Sequence, residues 1–135
     1  MTVETIKQSS VFNAPIQKVW EAVATSEGIA EWFMPNDFKA ELGHEFSLHS
    51  PYGISPCKVT ELNPPNRLSF SWGKDWHVTF ELKDLEGKTE FTLIHAGWDE
   101  TKVTETGDTH ADVRERMDHG WREAVLPRLK EYVEV

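Results

Sequence analysis

The sequence predicts an α+β domain: a curved antiparallel sheet of about six or seven strands, two short helices after the first strand, and a long C-terminal helix lying on the sheet. Three observations predict it. Apolar and polar residues alternate from Phe46 to His95, the period of strands with one buried face. The Gly- and Pro-bearing breaks between those runs are short, which joins neighbouring strands antiparallel. The final segment changes to a helical period, and only the sheet offers its apolar stripe a large enough surface.

Val3 to Phe12 opens the chain as a strand rich in β-branched and hydroxyl side chains. Asn13-Ala14-Pro15 offers an N-cap with proline in the first helical turn. Ile16, Val19, Trp20 and Val23 follow at the spacing of an amphipathic helix. Beyond a break at Thr25-Ser26, Ile29, Trp32 and Phe33 repeat that spacing until Pro35 ends a second short helix. Phe46 and Leu48 then alternate with Glu45, Ser47 and His49. Pro51-Tyr52-Gly53 turns the chain toward a strand at Lys58 to Leu62, which Asn63-Pro64-Pro65-Asn66 breaks. Leu68, Phe70 and Trp72 form the next run, and Gly73-Lys74-Asp75 makes a hairpin into Trp76, Val78, Phe80 and Leu82. Glu86-Gly87-Lys88 turns into Phe91, Leu93 and His95. Asp108 or Thr109 caps the last helix, with Asp112 in its first turn, where the helix dipole favours an acid. Its stripe runs Val113, Met117, Gly120, Trp121, Ala124, Val125, Leu129 and Tyr132 or Val133. Pro127 removes a backbone donor and crowds the carbonyl of Glu123, which predicts a bend.

Composition bounds the function. The 135 residues carry 14 Lys and Arg against 23 Asp and Glu, a net charge of −9. The length suits one domain, residues 1–135, around one core. Nucleic acid and anionic membranes need clustered positive charge that this chain lacks, so neither is an expected partner. No window reaches the ~20 apolar residues of a membrane span. The N-terminus has no apolar signal core, so the protein is expected in the cytoplasm with Cys57 reduced. A single cysteine excludes an internal disulfide and a Cys-based zinc site. His44, His49, His77, His110 and His119 show no HxH or HExxH spacing, and no nucleophile elbow or phosphate-binding loop is present. No metal and no cofactor is therefore expected. What stands out is aromatic: six Trp and seven Phe in a small acidic chain.

Four segments resemble a known family: Ala14-Pro15-Ile16-Gln17-Lys18-Val19-Trp20, Glu31-Trp32-Phe33-Met34-Pro35, Thr92-Leu93-Ile94-His95-Ala96-Gly97-Trp98, and Gly120-Trp121. In this order and spacing they resemble the heat-shock protein 90 ATPase activator homologue family of the START-like (SRPBCC, birch-pollen-allergen-type) superfamily. The resemblance covers nearly the whole chain and implies the helix-grip fold. His44 departs from it, where a second glycine after Gly43 is common, and so does Pro127, in a helix that usually runs through. The superfamily's deep cavity between sheet and helix implies binding of lipids, polyketides or other apolar ligands, with some branches using it as an active site. The family's name implies a chaperone-type protein partner and a role in stress response. Its co-chaperone members carry a further N-terminal domain that a chain of this length does not hold.

By strand phase, Phe46, Leu48, Phe70, Trp72, Val78, Phe80, Leu93 and His95 share the inward face of the sheet. Trp32 and Phe33 face them from the second helix, and Met117, Trp121 and Val125 from the last. Such a set, mostly apolar and aromatic with one polar group, matches both a core and a ligand site. His95 is the polar member, able to donate to a ligand carbonyl or to move a proton near neutral pH. Gly120 inside a helix costs ~1 kcal/mol against Ala and so signals a packing or cavity reason. The stretch from Asp99 to Asp108 is expected to be a loop able to gate the cavity. Three functions follow: a binder of a small hydrophobic ligand, a cyclase- or dehydratase-type enzyme using His95 as acid/base, or a protein-interaction module. Binding ranks first, because no cluster of acids and bases accompanies His95. Monomer and homodimer both stay open.

Overall fold

A computed structural model describes residues 5–50, 53–73, 76–98, 102 and 107–134. Along the chain lie β1 (Ile6–Phe12), α1 (Ile16–Val23), α2 (Ser26–Trp32), β2 (Glu45–Ser50), β3 (Gly53–Asn63), β4 (Arg67–Trp72), β5 (Trp76–Asp84) and β6 (Thr89–Ala96). The C-terminal helix follows as α3 (His110–Gly120), a π-helical turn at Trp121–Val125, and α4 (Leu126–Glu134). The six strands make one antiparallel sheet in the order β1-β6-β5-β4-β3-β2, a meander closed by the first strand. This is the expected α+β helix-grip arrangement. No helix among the described residues is long and apolar enough to cross a membrane.

The alternation read from the sequence sets the two faces. Val78 pairs with both Phe70 and His95, and Phe80 with Leu68 and Leu93, so these side chains share the inner face. The outer face carries polar ladders: Ser69 with Thr79 at 2.9 Å, Ser9 with Thr92 at 2.9 Å, and Arg67 between Glu61 and Glu81. β3 begins at Gly53, earlier than Lys58, because residues from Gly53 onward pair with β2. Within β3 the register slips between Val59, opposite Phe70, and Glu61, opposite Ser69. Thr60 is the extra residue of this bulge, and its hydroxyl meets His77 Nε2 at 2.8 Å. Such a bulge bends its strand and adds twist, which curls the sheet toward the helix.

One helix start differs from expectation. Asn13 does not cap α1; Pro15 holds the capping position with φ −67, and its carbonyl accepts from Lys18 and Val19. The main-chain N–H of Asn13 donates instead to Glu134 Oε2 at 2.8 Å, tying the end of β1 to α4. At α2, Thr25 is the cap, its hydroxyl accepting from the Gly28 N–H at 3.0 Å. α2 ends at Trp32, so Phe33 sits just beyond the helix as its C-cap. Gly28 permits the close crossing of α1 and α2, since a Cβ there would lie 2.5 Å from the Ala22 carbonyl oxygen. At that crossing the Trp32 indole donates to the same Ala22 oxygen at 2.8 Å.

Thr109 caps α3, accepting from the Asp112 N–H at 3.2 Å. Where a bend was expected from Pro127, the helix contains a π turn, with the Leu126 N–H reaching back to the Trp121 carbonyl. Proline cannot donate to Glu123, and a widened turn absorbs that loss by taking in one extra residue. The extra residue rotates the apolar stripe. Ala124 is exposed and Val125 half-buried, while Leu126, Leu129 and Val133 are buried and Tyr132 is 41% exposed. The stripe through Trp121 and the stripe through Leu129 are thus separate seams, one on the sheet and one on α1, α2 and β1.

Candidate functional site

The inner-face residues singled out from the sequence come together. Phe46, Leu48, Phe70, Trp72, Val78, Phe80, Leu93 and His95 are all buried. Trp32 is fully buried, stacked on Phe33 and edge-on to Phe80 at 5.7 Å. Phe33 is half-buried and bridges the layers, 5.0 Å from the Trp121 ring and 5.7 Å from Trp72. Met117 and Val125 are half-buried on the helix side. Phe46 packs edge-on between Phe38 and Phe70, toward the far end of the sheet. Two surface hollows, of about 370 and about 340 Å³, lie on the outer face, lined by side chains such as Lys58 and Ser71 or Arg67 and Glu81. The first also reaches Phe46 and Cys57 at the far end of the sheet, and neither is lined by Trp32, Phe33, Trp72, His95 or Trp121.

At the open end of β4, β5 and β6 the aromatics form a tight cluster. The rings of Trp72, Trp76 and His95 stand mutually 5.4 Å apart, with Trp72 stacked on His95 and Trp76 edge-on to both. Trp98 closes against Trp76 at 4.8 Å and His95 at 4.7 Å, and His110, from the start of α3, lies beyond at about 6 Å. Strand pairing explains the placement: Trp72 lies opposite Trp76, and His95 opposite Val78, two residues along. Trp98 follows Gly97, whose φ of 96 lets the chain turn back, and its indole donates to the His95 carbonyl at 3.0 Å. Trp76, Trp98 and His110 were not among the expected site residues. Trp76 shares the parity of Val78 and Phe80, a usable signal; Trp98 lies past the end of the strand, where no period reaches it.

The hydrogen-bond inventory of this cluster is one-sided. The Trp121 indole donates to His95 Nδ1 at 3.1 Å. An indole N–H can only donate, so Nδ1 is the acceptor and the neutral imidazole carries its proton on Nε2. Burial pushes His95 down to about 3, which keeps the ring neutral at pH 7. His95 Nε2, Trp72 Nε1 and Trp76 Nε1 are buried N–H donors without a protein partner among the described residues. Three such groups in one ring cluster are exceptional, since buried polar atoms are nearly always paired. The site can donate hydrogen bonds to an acceptor, and His95 itself is no base near neutrality.

Other candidate chemistry is sparse. Cys57 is buried and its thiol is pushed up to about 12 by desolvation and by Asp37, which makes it a poor nucleophile. Among the described residues no group of three His, Cys, Asp or Glu is placed to hold a metal. A Cβ at Gly120 would meet nothing within 4 Å, so that glycine serves no close packing against another element. Most of the stretch from Asp99 to Asp108, expected as a gating loop, lies outside the described residues.

Residues 13–134 match the family described as "Activator of Hsp90 ATPase homolog 1-like protein". No curated protein matches the chain. Among solved structures, a Bacillus halodurans protein solved in solution is 53% identical over 99% of this chain and 100% of its own, with a TM-score of 0.90. The Aha1 dimer of Colwellia psychrerythraea is 20% identical, with a TM-score of 0.82 and 98% of each chain covered. A Plasmodium falciparum protein described as an HSP90 activator is 18% identical, with a TM-score of 0.81 and 96% of each chain covered. These last two likenesses are likenesses of fold.

Proposed function

The chain belongs to the Activator of Hsp90 ATPase homolog 1-like family, within the START-like superfamily, and on that premise we propose that it binds a small hydrophobic ligand between the sheet and the C-terminal helix. The observation that carries this reading is the cluster of buried N–H donors on Trp72, Trp76 and His95, which have no partner among the described residues inside an aromatic wall. A ligand site is expected to be mostly apolar with a few oriented polar groups, and this one has that composition. The rest of the proposed lining is Trp32, Phe33 and Trp121 around the cluster, with Met117 and Val125 on the helix side.

His95 supports binding over proton transfer. A group held at about 3 is protonated in about one molecule in ten thousand at pH 7, so it serves as a fixed donor and not as a shuttle. A chaperone-directed role is the second reading, favoured by the family description and by the two fold relatives described as Aha1 and as an HSP90 activator. Amide and indole N–H NMR spectra separate the two. A screen of planar apolar compounds is expected to shift the indole signals of Trp72, Trp76 and Trp121. If no compound moves them, and an Hsp90-type chaperone moves surface amides instead, the ligand reading falls and the chaperone reading stands.

A further inference from the structure

Resting on that binding reading, the geometry points to a finer assignment: Trp72, Trp76 and His95 form a subsite for the neutral acceptor oxygen of a ketone, ester or lactone on an otherwise apolar ligand, and Trp121 is the positioning residue that sets it. Each step is visible in the cluster. Trp121 donates to His95 Nδ1, which places the remaining imidazole proton on Nε2 and turns that edge of the ring into a donor. His95 Nε2, Trp72 Nε1 and Trp76 Nε1 then offer three donors on rings 5.4 Å apart. Two acceptors of His95 are already taken, Nδ1 by the Trp121 indole and the main-chain carbonyl by the Trp98 indole.

Donors without acceptors define what fits. A carbonyl oxygen brings two lone pairs and no proton, so nothing on it is left unpaired. A hydroxyl or amine brings its own N–H or O–H, which here would be buried without a partner. Water brings two such hydrogens. A carboxylate would accept well, but no Lys or Arg among the described residues is hydrogen-bonded within the cluster. Burying an unpaired charge is costly, and a chain of net charge −9 repels an anion from the start. The surrounding wall, Trp98 and Phe33 included, is apolar and suits the remainder of the ligand. Placement of the Trp121 indole depends in turn on the π turn that begins at that residue.

A matched series tests the assignment: benzophenone, its alcohol benzhydrol, the hydrocarbon diphenylmethane, and the carboxylate diphenylacetate. Affinities come from calorimetry, and indole and imidazole N–H shifts from NMR. Benzophenone is expected to bind about tenfold or more tightly than the other three, the worth of one good buried hydrogen bond, and to move the Trp72 and Trp76 indole signals downfield. Trp121→Phe keeps an aromatic ring, smaller than the indole, and removes the N–H. It is expected to change the 15N tautomer signature of His95 and to bring the ketone-to-hydrocarbon affinity ratio toward one. Should that variant not fold, Trp76→Phe removes one donor from a half-buried position and should lower the ketone-to-hydrocarbon affinity ratio. Equal binding of all four compounds would overturn the acceptor subsite and leave the ligand reading intact. Preference for the carboxylate would overturn its neutral character, and an unchanged tautomer in a folded Trp121→Phe would overturn the positioning role. Failure of every compound to bind, with no indole shift, would overturn both the subsite and the binding reading beneath it.

Discussion

Acid should loosen this protein through His95 in particular. The imidazole is fully buried, and desolvation lowers its pKa from an ordinary 6.5 to about 3. The folded value lies below the unfolded one, so the unfolded chain binds the extra proton first. Stability is therefore whole above about pH 6.5 and is lost as the pH falls through the window down to about 3. Between pH 7.5 and pH 4.5, one site with these two values loses about 3 kcal/mol of folding free energy. That is a large fraction of the ~5–15 kcal/mol that holds a typical domain together. The five other histidines and 23 acidic residues titrate in the same range, so the wild type alone cannot isolate the term. His95→Gln can, because glutamine keeps an acceptor for the Trp121 indole and does not titrate. Urea unfolding of both proteins across that window is the assay. The gap between the two curves should change by about 3 kcal/mol in favour of the variant as the pH falls. Parallel curves would refute the reasoning, showing that His95 meets solvent or a partner that the buried cluster does not provide.

Two further substitutions test the packing described above. Gly28→Ala sets a Cβ 2.5 Å from the Ala22 carbonyl oxygen and 2.7 Å from that of Glu21, both backbone atoms that cannot turn aside. A loss of about 1–3 kcal/mol is expected in thermal or urea unfolding. Val133→Ala and Tyr132→Ala form a pair that tests the shifted seam of α4. The buried Val133 should cost about 2 kcal/mol, and the exposed Tyr132 within about 0.5 kcal/mol. The reverse order in unfolding midpoints would mean that the π turn does not set the phase of α4.

The sheet was legible because its code is short. Alternation at period two places Phe70, Trp72, Val78, Phe80, Leu93 and His95 on one face, and the pairing of Val78 with Phe70 and His95 realises it. The C-terminal helix was legible as a helix but not in its seams. Pro127 announces a lost hydrogen bond but not the π turn that accompanies it; burial falls on Leu126 beside the half-buried Val125 and, of the two residues that the spacing left open, on Val133 and not on Tyr132. Asn13 looked like a cap because its side chain is suited to one, but its position was claimed by a distant carboxylate, Glu134, which no local pattern can reveal. His95 was found by parity, and Trp76 lay within reach of the same rule. Trp98 was not, since it enters the cluster through the turn at Gly97. Nor can spacing show that three donors lack partners. An unsatisfied atom is a property of everything around it.

The two halves of the C-terminal helix are fastened by different forces. In α3 only His110 is buried among the helix's own side chains, and the polar Gln8 of β1 holds it through Asp118, at 2.8 Å to the carboxylate and 3.0 Å to the main-chain oxygen. Such bonds exchange for bonds to water at a net cost of about 1 kcal/mol each. α4 cannot leave without wetting Leu126, Leu129 and Val133, at about 1.5–3 kcal/mol apiece. The long helix is thereby rooted by apolar burial at its C-terminal end and tied near its middle by polar bonds that water can replace.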